Sequence, residues 1–105
     1  MKIERFNALI QEQLDHSFTV LTQKGKEYSL TADRLDHFKD AAVDQGSTLE
    51  QALWGMASKH IASISSMCKN GAVDLALWRE KITDSINYLL LLWAVVNEDG
   101  SDEKN

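Results

Sequence analysis

Proline is absent from this 105-residue chain, and glycine occurs only five times. Residues that break or loosen helices are therefore scarce, and long uninterrupted helices are expected. Cysteine occurs once, as Cys68. That excludes an intrachain disulfide and a cysteine-based zinc site, and makes a reducing compartment, the cytoplasm, the simplest setting. Positive charge is also sparse: 11 Lys and Arg stand against 16 Asp and Glu, for a formal net charge of −5. Glu98, Asp99, Asp102, Glu103 and Lys104 account for three of those five negative charges, so the body is nearly neutral. No basic stripe is present, which argues against nucleic acid as a partner. Long apolar runs are missing too. Leu89–Val96 is apolar for eight residues, against about 20 for a membrane span, so no membrane partner is expected. Met1-Lys2-Ile3-Glu4-Arg5 is polar and does not read as a signal peptide.

What is present is helical periodicity. Ile3, Phe6, Leu9/Ile10, Leu14, Phe18 and Leu21 recur at three- and four-residue steps and predict a first helix ending near Gly25. A loop over Lys26–Leu30 follows. Thr31 is a candidate N-cap for a shorter second helix carrying Leu35, Phe38, Ala41 and Ala42, which Gly46 stops. Ser47 and Glu50 form an S-x-x-E capping box for a third helix. Its apolar positions are Leu49, Leu53, Met56, His60, Ile61, Ile64 and Met67/Cys68, and Asn70-Gly71 ends it. Asp74 caps a fourth helix with the stripe Leu75, Trp78, Ile82, Ile86, Leu89, Trp93 and Val96. No repeat, internal boundary or strand-like alternation appears. The expectation is an all-α, four-helix bundle-like single domain over residues 1–97, with a disordered acidic tail over 98–105.

The fourth helix carries a second set of apolar residues. Tyr88, Leu91 and Val95 fall roughly opposite the Trp78–Ile82–Ile86 stripe. A single chain need not cover both faces, so a homo-oligomer, dimer or tetramer, is expected to pair through Leu91 and Val95.

Three places offer candidate chemistry. Glu80, Asp84 and Tyr88 stack at i, i+4 and i+8 with Asn87 beside them, just before the leucine run. The two carboxylates, one turn apart, repel mildly unless a hard cation such as Mg²⁺ joins them; flanked by Arg79 and Lys81, they also read as an ordinary solvated pair. Lys59, among the small residues Ala52, Gly55, Ala62, Ser63 and Ser66, suits either a ligand phosphate or close helix packing with the amine in water. His60 reads best as a hydrogen-bonded histidine at the core edge. Lys26-Glu27-Tyr28 with Asp33-Arg34-Leu35-Asp36-His37-Phe38 supplies cations, carboxylates and aromatic rings. That set suits a nucleotide or phosphorylated metabolite, although acids early in a helix also complement its dipole.

Taken together, Lys26-Glu27-Tyr28, Asp33-Arg34-Leu35 with Phe38, Lys59-His60 and Ile82-x-Asp84-x-x-Asn87-Tyr88-Leu89-x-Leu91 resemble small phage and prophage proteins related to nucleotide-modification-associated domains. More distantly, the chain is similar to the MazG-like all-α nucleoside triphosphate pyrophosphatases. The resemblance covers roughly residues 20–97. It implies a nucleotide-binding protein in the cytoplasm of a bacterium or infected cell, acting as a Mg²⁺-dependent pyrophosphohydrolase or as an accessory in nucleotide modification. Asp84 matches the motif aspartate and Tyr88 the tyrosine after it. On that pattern Asp84 and Glu80 are the catalytic and metal-binding candidates. Lys26, Glu27, Asp33, Lys59, Lys81, Asn87 and Tyr88 are the ligand-binding ones. The chain departs from the pattern where Lys81 replaces the motif glutamate. It departs again where Lys59, His60 and Ser63 stand in place of the other acidic ligands. Exchanging acids for cations favours direct phosphate binding over a full metal cage. The alternative is a non-catalytic helical interaction protein that has lost the metal site.

Overall fold

The computed structural model describes residues 1–28 and 33–98, and their side chains apart from those of residues 25–28. Four helices follow one another: α1 (Ile3–Tyr28), α2 (Asp36–Gln45), α3 (Leu49–Asn70) and α4 (Leu75–Glu98). Helix accounts for 87% of the described residues, and none of them is in a strand. Among the described residues no helix is long and apolar enough to cross a membrane.

The helix ends follow local chemistry. Gly46 and Gly71 each adopt φ of 65° and close α2 and α3 from the left-handed region, where a side chain would be strained. Asp74 Oδ1 accepts from the Ala76 and Leu77 backbone amides and caps α4. Two ends differ from the expectation. The first helix does not stop at Gly25 but runs on to Tyr28; an interior glycine costs a helix only about 1 kcal/mol relative to alanine. The capping box of α3 is Thr48 with Gln51, not Ser47 with Glu50. Thr48 Oγ1 accepts from the Gln51 amide at 3.1 Å, and Gln51 Oε1 accepts from the Thr48 amide at 3.0 Å. Thr48→Ala should lower the stability of the chain by about 1 kcal/mol, read from its urea midpoint. The proposed Thr31 cap lies outside the described residues. The α2 start is built instead by Asp33, whose Oδ1 accepts from the Leu35 amide at 2.9 Å.

The core gathers at one end of the molecule. Leu35, Phe38, Leu53, Leu91 and Val95 form a buried cluster, with Leu21, Leu49, Met56, Tyr88 and Leu92 packed against it. Leu53 near the start of α3 meets Leu91 and Val95 near the end of α4, so the two helices run antiparallel. Buried Ala52 and Ala57 keep the α3 surface low. Trp78 Nε1 donates to the Ala72 carbonyl at 2.9 Å and pins their connection.

The α4 orientation corrects the reading of its two faces. Leu91 and Val95, expected at an oligomer interface, are buried within the chain, whereas Leu75, Ile82, Leu89, Trp93 and Val96 are exposed. From Leu89 to Val96 the helix is apolar around almost its whole circumference, so periodicity alone does not select the inward arc. The arc is selected by Leu53 on α3 and by Leu21 on α1. A similar inversion affects α1, whose apolar residues from Ile3 to Phe18 are exposed. Midway along α1 its contact with α4 is polar: Gln13 Nε2 donates to Ser17 Oγ at 3.0 Å and to Thr83 Oγ1 at 2.8 Å. Ser17 is 1% exposed and Thr83 is also buried.

The end of α4 is clasped to α2. Lys39 Nζ donates to Asp33 Oδ2 at 2.8 Å and to Glu98 Oε2 at 3.0 Å. Glu98 thus belongs to α4; residues 99–105 of the acidic tail lie outside the described residues. The hydrogen bond from Lys39, helped by that from the Leu35 amide, holds the Asp33 carboxyl below its ordinary value of 3.8. The bond to Asp33, then that to Glu98, raises Lys39 above 10.5. A lowered carboxyl stabilises the fold above its unfolded value and loses that share as pH falls through the folded one. A raised amine stabilises below its unfolded value and loses its share as pH rises through the folded one. The clasp should therefore contribute fully between about pH 5 and pH 9 and fade on either side. Because both groups are substantially solvated, its size is at most about 1 kcal/mol. Urea midpoints across pH should show Lys39→Met removing that plateau difference.

Candidate functional site

Asp84 and Lys24 stand between two recesses on the α1–α4 side of the molecule, with Lys24 Nζ 3.6 Å from Asp84 Oδ1. The first recess, about 340 Å³, is lined by Leu21, Lys24, Arg34, His37, Phe38, Asp84, Asn87, Tyr88 and Leu91. The second, also about 340 Å³, is lined by His16, Val20, Lys24, Ala76, Arg79, Glu80, Thr83 and Asp84. The polar row on α4 arises from its periodicity. Asp84, Asn87 and Tyr88 fall at i, i+3 and i+4 and share one side, facing the gap between α1 and α2.

Each group in the first recess has a defined setting. Tyr88 stacks on His60 of α3, with ring centroids 5.2 Å apart and planes 20° apart. His60 Nδ1 lies 3.9 Å from Asp84 Oδ2, so α3 braces both the ring and the carboxylate from behind. Arg34 lies over the Phe38 ring at 5.7 Å, and its Nη2 reaches the Leu21 carbonyl at 3.4 Å. Its Nη1 is buried with no hydrogen-bond partner. Asn87 is 6% exposed, and its Oδ1 is likewise buried without a partner. Two residues lining the same recess therefore each carry a buried unsatisfied group, one a donor and one an acceptor. Each costs on the order of 1–3 kcal/mol while unpaired, a cost that a suitable ligand would offset.

Comparison of the chain with protein-family models, curated proteins and solved structures finds no match. The reading of the site therefore rests on its chemistry.

That chemistry favours anions locally. Lys24, Arg34 and Arg79 bring three fixed positive charges to the two recesses, against the carboxylates of Asp84 and Glu80. This excess stands in a chain with a net charge of −5. Arg79 is shared with Glu12 at 3.7 Å. Among the described residues no group of three His, Cys, Asp or Glu side chains converges. Glu80 and Asp84 line the second recess one helical turn apart. Two carboxylates suit a Mg²⁺ ion that arrives on substrate phosphates and keeps much of its water, rather than one caged by protein alone.

The residues singled out in the sequence divide into three groups. Asp84, Asn87 and Tyr88 are brought together in the first recess, and Glu80 joins Asp84 in the second. Lys59, exposed on α3, and Lys81 line neither recess, and Asp33 is engaged in the α2 start and the Lys39 clasp. Lys26 and Glu27 fall in the last turn of α1, where the side chains lie outside the described residues. The lysine and arginine that do line the first recess are Lys24 and Arg34. Lys24 follows Leu21 by three residues, so its place on the buried side of α1 was a usable signal. Arg34 had none beyond its place in the Asp33–Phe38 segment.

Proposed function

We propose that the chain binds a nucleotide or a closely similar phosphorylated small molecule in the recess between α1, α2 and α4. The observation that carries this reading is that Asn87 and Arg34, which line this recess with Lys24 and Tyr88, each carry a buried polar atom without a partner, Asn87 Oδ1 and Arg34 Nη1. A nucleotide offers what these groups need: a ring face for the aromatic wall, donors for the Asn87 carbonyl and phosphate oxygens for the cations. The resemblance to MazG-like pyrophosphatases, carried by the Asp84-x-x-Asn87-Tyr88 segment, supports the same residues. Lys24 and Arg34 would contact phosphate, Asn87 and Tyr88 would set the ligand's orientation, and Asp84 would position Lys24. Where Mg²⁺ accompanies the phosphates, Glu80 and Asp84 are the carboxylates that would hold it; the ion's contribution is to polarise a phosphoryl oxygen and acidify the attacking water. The pyrophosphohydrolase activity is the extension of this reading that requires both acids. The second reading, a non-catalytic interaction protein, is favoured by the exposed apolar residues of α1.

A thermal-shift screen of ribo- and deoxyribonucleotides at each phosphate level, with and without Mg²⁺, tests this. A ligand at 100 times its dissociation constant adds about 2.7 kcal/mol, which raises the melting temperature of a chain this size by roughly 10–20 °C. A metal-independent rise supports the cation-lined binding site. A rise that needs Mg²⁺ and a triphosphate supports the hydrolase, and product analysis follows. The absence of any rise overturns the nucleotide reading in favour of the interaction protein.

A further inference from the structure

Every residue from Met1 to Glu12 is exposed, although α1 is already helical from Ile3. Those turns carry Ile3, Phe6, Leu9 and Ile10, and the stripe continues through Leu14 and Phe18, all exposed. A helical segment of this length has marginal stability in water without tertiary packing. Its apolar stripe must therefore meet another surface, and among the described residues its own chain offers none. The α4 helix has the complementary deficit: Ile82, Leu89, Trp93 and Val96 are exposed along its outer side, with Phe6 at 53% and Trp93 at 66%.

We propose that a second copy of this chain covers both faces. The α1 arm of each copy lies across the outer face of the other copy's α4, related by a two-fold axis. Three observations select a second copy over an unrelated partner. First, the exposed apolar surface of the two faces is on the order of 1,000 Å² per chain, using typical side-chain areas, and a specific interface needs about 800 Å² per partner. Second, the faces match in length. Ile3 to Phe18 and Ile82 to Val96 each span about 20–25 Å along a helix axis. Third, both faces are apolar along their centres, so each provides what the other lacks, and a two-fold exchange closes with neither left over. The interface lies on the side of α4 away from Leu91 and Val95.

The test is the mass of the full chain by light scattering and sedimentation at about 10 µM. The expected species is a dimer, twice 11.8 kDa. Phe6→Glu on the arm and Trp93→Glu on α4 each place a charge in the paired faces but touch no residue of the buried cluster, so each should leave a folded chain and weaken pairing at least tenfold. Circular dichroism checks the folding. Should a charged variant lose its helicity altogether, Phe6→Ala, which removes area without adding charge, should still weaken pairing several-fold. A wild-type monomer at this concentration overturns the proposal and points to a different protein as the occupant. So does a dimer indifferent to changes at both Phe6 and Trp93.

Discussion

Leu53→Ala should cost the protein about 3–5 kcal/mol of stability, the range for removing a leucine side chain from a site that cannot collapse around the loss. Leu53 is 0% exposed and sits in a buried cluster with Leu35, Phe38, Leu91 and Val95. Those neighbours belong to two other elements, α2 with its start and α4, each fixed by its own cap or clasp. Closing the cavity would require helices to shift rather than one side chain to turn. A domain of this size has a total stability of about 5–15 kcal/mol, so the variant should approach the edge of folding. The melting temperature should fall by more than 10 °C, at about 4–8 °C per kcal/mol. Urea titration is the decisive measurement: the midpoint should drop with little change in slope. Val43→Ala, at a position 77% exposed, should stay within about 0.5 kcal/mol of wild type. A drop at Leu53 no larger than that at Val43 would mean that the core is not at this end of the molecule. The same cluster supplies Phe38 and Leu91 to the wall of the first recess, so a loosened core should also weaken ligand binding.

The helices were legible because their boundaries are set by local chemistry. Gly46, Gly71 and Asp74 each act over one turn, and each stands where its residue type predicted. The α3 cap shows the limit of such reading. Ser47-x-x-Glu50 and Thr48-x-x-Gln51 both satisfy the capping-box pattern. The Ser47 amide is bonded back to the Ala42 carbonyl at the end of α2, so Ser47 belongs to the closing turn and the box falls one residue later. Which face of each helix turns inward was less legible, for a different reason. Amphipathic periodicity finds an apolar stripe but does not say whether its own chain covers it. On α1 and α4 the most regular stripes are the exposed ones, while Gln13, Ser17 and Thr83, which are polar, make part of the contact between the two helices.

The candidate site divides along the same line. Asp84, Asn87 and Tyr88 were visible as a set because they lie on one helix at helical spacing. The cations were not, because they come from other elements: Lys24 from α1 and Arg34 from the segment before α2. Lys59 and Lys81 were the phosphate-binding candidates in sequence, yet neither lines the recess. Tertiary packing decides among cations that local patterns treat alike.

Asn87→Leu should move stability and ligand binding in opposite directions. The buried Asn87 carbonyl has no partner, and leucine has the same branched arrangement of side-chain heavy atoms as asparagine, though it is bulkier. Replacement removes the unsatisfied acceptor and adds apolar contact beside Leu91, so the unliganded protein should gain about 1 kcal/mol. Binding should suffer, because a ligand donor that met Oδ1 would now be buried against a methyl group. The expected weakening is about 10–100-fold for a ligand identified by the thermal-shift screen, corresponding to roughly 1–3 kcal/mol. The pairing of signs is the informative part. A purely structural asparagine would lose stability on replacement, and one facing solvent would change neither quantity. Urea midpoints and titration calorimetry on the same variant separate these cases. Asp84→Ala provides the companion test, because it should release Lys24 from its 3.6 Å ion pair. If the recess binds phosphate through Lys24 alone, affinity should hold or rise in Asp84→Ala; if the carboxylate anchors the ligand through Mg²⁺, affinity should collapse and the metal dependence should vanish with it. An Asn87→Leu protein that is both more stable and blind to the ligand would place an uncompensated polar group where binding requires it.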